Sequence, residues 1–362
     1  MGRRGEFYLV KLKLIDHPVR PRFSSLIKLL FMIFFSCAGG YTAMAFQVPA
    51  PFILGPAAFV SIASLLGFRS EVPYLLKNLS FLIIGLSLGS NISPDILKNA
   101  QAWPLSLVGM LGNTIMVTFM GFYLLKWGFK LNHNTAFLSS SPGHLSFVLG
   151  IAAEKKYDAS LISGIQSIRV LVLTLAVPLI ASNYSEGHAY IAKKEAYLLS
   201  FTSLLFLGFL GLFFGFILIK TKIPAAYLIS GIIASTIGHG FNLTPGLIPE
   251  YLAIAAFIIL GAFIGTRFGS VELNVLKKSL AGALAFTAMA LASSLIWAKL
   301  ISSLTNLSVL DLTLAFAPGG LETMIALGNI VGQDPAFIAF HHFSRLIFLS
   351  FFIPIALNNI NK

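Results

Sequence analysis

Charge is scarce in this chain. Of 362 residues only 10% are Asp, Glu, Lys or Arg, and just 13 are acidic. A water-soluble domain of this length cannot cover its surface with so few charges. Cysteine is nearly absent too. The single copy, Cys37, excludes an internal disulfide and any cysteine-cluster metal site. No HExxH, Walker or dinucleotide-binding motif occurs, and no Ser/His/Asp set is recognisable. The chain is therefore not read as an enzyme, and no metal, cofactor or ATP-binding element is expected.

Apolar sequence is what the chain has in plenty: 57% hydrophobic residues and a mean hydropathy of +0.86. Runs of about 17 to 24 apolar residues recur, the length that spans a bilayer core. The reading is an all-α polytopic membrane protein whose first partner is the lipid bilayer. The net charge of +12 suggests nucleic acid at first sight. Membrane topology explains it better, because Lys and Arg accumulate in cytoplasmic loops, and no nucleic-acid partner is expected. Ala43-Met44-Ala45 resembles a signal-peptidase site. The length of the run from Leu26 to Phe46, and the apolar segment that follows it directly, favour an uncleaved first transmembrane helix.

The chain also repeats itself. Pro142, Gly143, Leu145, Asp158, Ile162, Arg169, Leu173 and Pro178 recur as Pro318, Gly319, Leu321, Asp334, Ile338, Arg345, Leu349 and Pro354, all at one offset of 176. Two copies of one unit are implied. Membrane segments are expected at about 26–46, 51–68, 73–90, 104–126 and 159–181, and again at 196–219, 224–241, 249–266, 279–301 and 336–357. The domain plan is a basic cytoplasmic segment 1–25, repeat one over 26–182, a polar linker 183–195 and repeat two over 196–357. Gly85 and Gly89 echo Gly261 and Gly265 at the same offset, whereas Pro56-Ala57-Ala58 echoes Pro224-Ala225-Ala226 at 168. The second copy is thus expected to carry eight extra residues, in the loop with Asn242 and Pro245.

Each unit has one further apolar stretch, 135–153 and 311–331, interrupted by Pro-Gly near its middle. Pro removes a backbone donor and Gly destabilises helix, so a continuous helix is not expected there. The stretch either returns as a re-entrant hairpin or crosses as a broken helix. With re-entrant stretches and a cytoplasmic N-terminus, 19 of the 25 Lys and Arg lie inside and 3 outside; with crossing stretches the split is 14 to 8. The positive-inside bias favours the first. Five crossings per unit then make two inverted repeats, a plan of many secondary transporters, with the Pro-Gly elements meeting from opposite faces.

Candidate chemistry gathers at these elements. A helix that starts after Pro142-Gly143 or Pro318-Gly319-Gly320 exposes backbone N–H groups that favour an anion; the alternative is a structural kink. Arg169 and Arg345 lie inside apolar segments, where a charge costs roughly 2.5–3.5 kcal/mol and normally faces a partner or a wet cavity. Each is either an anion-binding guanidinium or a tie to a broken-segment carbonyl or an acid elsewhere. Only the second copy adds Glu322, His341 and His342, which makes proton coupling one reading and polar packing between helices the other. Asn113 and His239 read as structural.

At the repeated P-G-x-L…D…R…P element, Pro142-Gly143-His144-Leu145 through Arg169 and Pro318-Gly319-Gly320-Leu321-Glu322 through Arg345, the chain resembles the AbrB-type membrane protein family. The resemblance covers most of residues 26–357 and is better in the second copy; His144 and Gln166 depart from the pattern. It implies a multi-pass protein of the bacterial inner membrane, built from one duplicated module. Such proteins are regarded as transporters without a settled substrate, and some as regulators of gene expression. The label ammonia monooxygenase, sometimes attached to them, finds no copper-ligand cluster here.

The combined expectation is a secondary transporter for a small organic anion, with a proton as a candidate coupling ion. The solute would bind at Pro142, Gly143, Arg169, Pro318, Gly319, Gly320, Glu322 and Arg345. A membrane-embedded sensor or regulator using the same pocket is the alternative, and the plan is compatible with a homo-oligomer. Orientation is testable in a Cys37→Ala background. A single cysteine at Tyr157 should label from the cytoplasmic side and one at Gln333 from the opposite side; labelling of both from one side would remove the inverted topology.

Overall fold

The computed structural model describes residues 23–90, 103–143, 145–184, 198–221, 223 and 225–360. The basic segment up to residue 22, most of the linker, His144 and Pro224 lie outside the described residues. The described chain is helical, and its only recorded strand pairing is an isolated bridge between Leu198 and Leu247. Repeat one holds α1 (Phe23–Ala45), α2 (Pro51–Leu65), α3 (Tyr74–Gly89), α4 (Trp103–Tyr123, prolonged by a π turn Leu124–Gly128), α5 (His133–Ser140), α6 (Leu145–Glu154) and α7 (Ala159–Tyr184). Repeat two holds α8 (Phe201–Lys220), α9 (Ala226–Gly240), α10 (Glu250–Thr266), α11 (Leu273–Leu304), α12 (Val309–Phe316), α13 (Leu321–Ile330) and α14 (Pro335–Ile360). All ten expected segments are helices, and both Pro-Gly stretches are helix–break–helix.

Seven of the described helices are long and apolar enough to cross a membrane. Helices α2, α3 and α9 have 15, 16 and 15 residues, about 22–24 Å at 1.5 Å per residue, shorter than a bilayer core. Large apolar side chains face outward on α1 and α8, among them Leu30, Phe34, Phe209 and Phe216. Faces of that size are untenable in water and fit lipid.

Glycine sets the central packing. A Cβ on Gly85 of α3 would strike the Leu228 carbonyl of α9, and one on Gly89 would sit 2.6 Å from the Ile232 carbonyl. A Cβ on Gly261 of α10 would sit 2.5 Å from the Ile53 carbonyl of α2, and one on Gly265 2.7 Å from Val60 Cβ. Backbones therefore meet directly, and each pair runs parallel. The pairing is also exchanged, since α3 of one copy packs on the α2 counterpart of the other. By contrast α4 and its counterpart α11 run antiparallel: Gly109 faces Ile301, while Gly121 faces Phe286. Asn113 joins α4 to α11, accepting from Ser293 Oγ at 2.7 Å and donating to Ser294 Oγ at 3.3 Å. His239 Nε2 lies 2.8 Å from the Gly246 carbonyl and its Nδ1 3.2 Å from Ser235 Oγ, so one ring N–H and one ring lone pair are both used. Both residues thus make structural contacts.

One expectation is overturned. Ala50 (φ 50°) and Ala225 (φ 54°) are both left-handed N-caps, each opening a helix of 15 residues. The copies therefore register at 175 here. Pro56 lies inside α2, so it is no counterpart of a proline preceding Ala225, and the eight-residue insertion is absent.

Gly85→Val should lower the melting temperature of the detergent-solubilised protein, a cost of about 1–3 kcal/mol or more from overpacking. Gly208→Ala in α8, where a Cβ meets nothing within 4 Å, should hold or gain about 0.5–1 kcal/mol. Equal melting temperatures for the two variants would remove the close-approach account.

Candidate functional site: a cationic cavity between two broken segments

Each Pro-Gly break strands carbonyls at the C-terminal end of a half-helix, and a neighbouring long helix satisfies them. In repeat one Gln166 Nε2, on α7, donates to the Leu138 carbonyl at 2.9 Å and the Ser141 carbonyl at 3.4 Å. In repeat two His342 Nε2, on α14, bonds the Leu314 carbonyl at 2.9 Å, and Arg345 Nη1 donates to Ala317 O at 2.9 Å and Phe316 O at 3.4 Å. A carbonyl only accepts, so His342 carries its proton on Nε2, and its Nδ1 accepts from Arg345 Nη2 at 2.7 Å. Both nitrogens of His342 are engaged. Asn113 Nδ2 and Ser294 Oγ also donate to Phe316 O.

The far ends of each broken segment lie together. Ser308 Oγ caps α12 and donates to Gln333 Oε1 at 3.1 Å, and the Asp334 amide donates to Asp311 Oδ1 at 2.9 Å. In repeat one Asn132, His133, Asn134 and Thr135 share a surface cavity with Lys156, Tyr157 and Asp158. The repeated aspartates are helix caps: Asp158 accepts from Leu161 N at 2.9 Å, and Asp334 from Ala336 N at 2.9 Å and Phe337 N at 3.2 Å.

The breaks themselves meet. Pro142, Gly143, Arg169, Gly319, Gly320, Glu322, His342 and Arg345 line one cavity of about 490 Å³. Pro318 is not among its lining residues. Nor is His341, which is buried against Phe337 and Trp103 and bonds Phe337 O and Ser106 Oγ, both at 2.8 Å. Among the described residues, the lining holds four cations, Lys77, Arg169, Arg267 and Arg345, and one carboxylate, Glu322. Arg169 and Arg345 are each 2% exposed. Among the described residues, no hydrogen-bond partner reaches Arg169 Nε, Arg169 Nη1 or Arg345 Nε.

Sequence reasoning missed the other wall. Lys77 Nζ lies 5.2 Å from the Tyr74 ring and 5.3 Å from the Phe263 ring, and Arg267 stacks on Phe263 at 5.1 Å. Lys77 and Arg267 entered the sequence reading only as loop charges, because each lies within a turn of a segment end. Their counterparts at offset 176 are Ala253 and Asn91, so this wall is not repeated in the other copy.

A model of the family described as transition state regulatory protein AbrB matches residues 52–361. The uncharacterized protein YhjN of Bacillus subtilis (strain 168) is 25% identical over 293 residues, 75% of this chain and 75% of its own length. A candidate regulator, AbrB, of Escherichia coli (strain K12) is 24% identical over 300 residues, 82% of this chain and 85% of its own length.

The Asp311–Asp334 contact lies outside the spanning segments and carries a pH signature. Burial raises the Asp311 carboxyl from 3.8 to about 6, opposed by the Asp334 amide bond and assisted by the Asp334 charge. The folded state then holds that proton more tightly than the unfolded chain, so stability falls as pH rises from about 4 to about 6 and stays lower above. Asp311→Asn should raise the melting temperature at about pH 7 and change it little at about pH 4; a gain of equal size at both would exclude the charge as its cause.

Proposed function

Since the chain belongs to the AbrB family, we propose that it is a secondary transporter of a small organic anion in the bacterial inner membrane, working through the cavity where the two broken segments meet. The observation that carries this reading is the charge of that cavity. Among the described residues, four cations line it against one carboxylate, and Arg169, buried in an apolar helix, has donors without partners there. A buried unpaired charge is costly, and an anion offsets it.

The proposal includes two inverted repeats with re-entrant Pro-Gly segments and a cytoplasmic N-terminus. The antiparallel run of α4 and α11 supports inversion. The bonds joining Ser308 to Gln333 and Asp311 to Asp334 support a return to the same face. The 19-to-3 distribution of Lys and Arg supports the orientation. Glu322 is the group proposed for proton coupling, because among the described residues it alone is acidic in the lining. His341 lies outside the lining, and His342 has both nitrogens engaged, so neither is retained in that role. The cavity walls add Tyr74, Phe81, Tyr227 and Phe263, surfaces suited to an organic body beside the anionic group.

The second reading, a membrane-embedded regulator that senses the same anion, draws on the name of the Escherichia coli relative. Purified protein in proteoliposomes distinguishes the two. A transporter moves radiolabelled organic anions down an imposed gradient, and Glu322→Gln abolishes acceleration by a proton gradient. Saturable binding with no flux would replace the transport reading with the sensor.

A further inference from the structure

The two copies solve one problem differently. Leu138 and Ser141 correspond to Leu314 and Ala317, and Gln166 and Arg169 to His342 and Arg345, all at offset 176. Both copies must satisfy carbonyls at the same two places. In the first, one amide, Gln166 Nε2, serves both Leu138 O and Ser141 O. In the second the imidazole of His342 serves Leu314 O alone, and Arg345 supplies Ala317 O while donating to His342 Nδ1. Gln166 therefore releases Arg169, whereas His342 commits Arg345.

We infer that the arginines have divided their work: Arg169 binds the carboxylate of the organic anion, and Arg345 is a positioning residue that fixes the second break. This rests on the proposed anion site and names its binding residue. Arg169 is as buried as Arg345, at 2% exposure, yet its Nε and Nη1 have no partner. The second break lies beside it. A Cβ on Gly320 would sit 3.8 Å from Cγ1 of Val170, the residue next to Arg169. Gly320 is also the N-cap of the ten-residue helix α13, and no side chain caps that terminus. The first-turn N–H groups of α13 and its dipole thus share the cavity with an unsatisfied guanidinium. The first turn carries Glu322, which makes no capping bond, so a carboxylate between the uncapped amides and Arg169 accepts from both. The first break lines the same cavity from another side, where a Cβ on Gly143 would meet Ile353 Cδ1 of α14 at 3.3 Å.

Phenylglyoxal labelling of the full chain in detergent, read by peptide mass spectrometry, tests the division directly. Arg169 should be modified and Arg345 spared. Benzoate should slow modification of Arg169, while benzamide and inorganic phosphate should not. Labelling of Arg345 as fast as that of Arg169, or a rate at Arg169 indifferent to benzoate, would overturn the inference; equal protection by phosphate would overturn the carboxylate assignment. Arg169→Gln should keep or raise the melting temperature of the unliganded protein and lose about tenfold or more in benzoate affinity. Arg345→Gln should lower the melting temperature, and His342→Gln in the same chain should restore it by serving both carbonyls, as Gln166 does. If Arg345→Gln does not fold, the labelling of the unaltered protein still decides. Protection of Arg169 without flux would end the transport reading and leave this assignment in place; flux without protection would do the reverse.

Discussion

The stranded carbonyls at the two breaks are the constraint on which the rest of the structure depends. An interrupted helix leaves C=O groups without partners, and in a bilayer no water is at hand to take them. Each break therefore needs donors from a neighbouring helix, placed at a fixed depth. Gln166 supplies them in one copy, and His342 with Arg345 in the other. Phe316 O, at the second break, also draws in Asn113 and Ser294 from two further helices. These bonds fix the position of both breaks, and with it the cavity they line.

The other wall is held by shape rather than by polar bonds. Exchanged parallel pairs, α3 with α9 and α2 with α10, meet through Gly85, Gly89, Gly261 and Gly265, where a side chain would collide with backbone or Cβ atoms of the partner helix. Dispersion at that range needs no polar atoms, which suits a medium where the hydrophobic effect does not drive helices together. The cavity lies where these two kinds of construction meet: Tyr74, Lys77, Phe263 and Arg267 come from the glycine-packed side, and Gly143, Gly319, Gly320 and Arg345 from the polar-bonded side.

Much of this was legible in the residues, and the rest failed for identifiable reasons. Hydropathy marked the ten long segments, and Pro-Gly marked both breaks, because these signals are local. The echo of Pro56 in Pro224 misled because identity was weighed without conformation; the left-handed alanines that open α2 and α9 set the true register. His341 and His342 point about 100° apart on their helix, and the sequence left open which of them turns to the site. One faces Trp103 and Phe337, the other the cavity. Lys77 and Arg267 were counted for topology and overlooked for the site, since no one-dimensional pattern reveals that two segment ends flank one phenyl ring. The choice between an anion-binding and a carbonyl-tying arginine was open for both copies from sequence; the geometry ties Arg345 to the Ala317 carbonyl and leaves Arg169 for the proposed anion.

The unrepeated wall has a kinetic meaning. Lys77 and Arg267 line one side of the cavity, and their counterparts by position are an alanine and an asparagine. Fixed positive charge raises the local concentration of anions and speeds their capture, an effect that weakens as ionic strength rises. Such a field leaves the overall equilibrium across a membrane untouched, since that is set by the gradients alone. Under the proposed transport, a duplicated backbone with a one-sided charge is a two-way path in thermodynamics and uneven in rate, with salt acting on the rate alone.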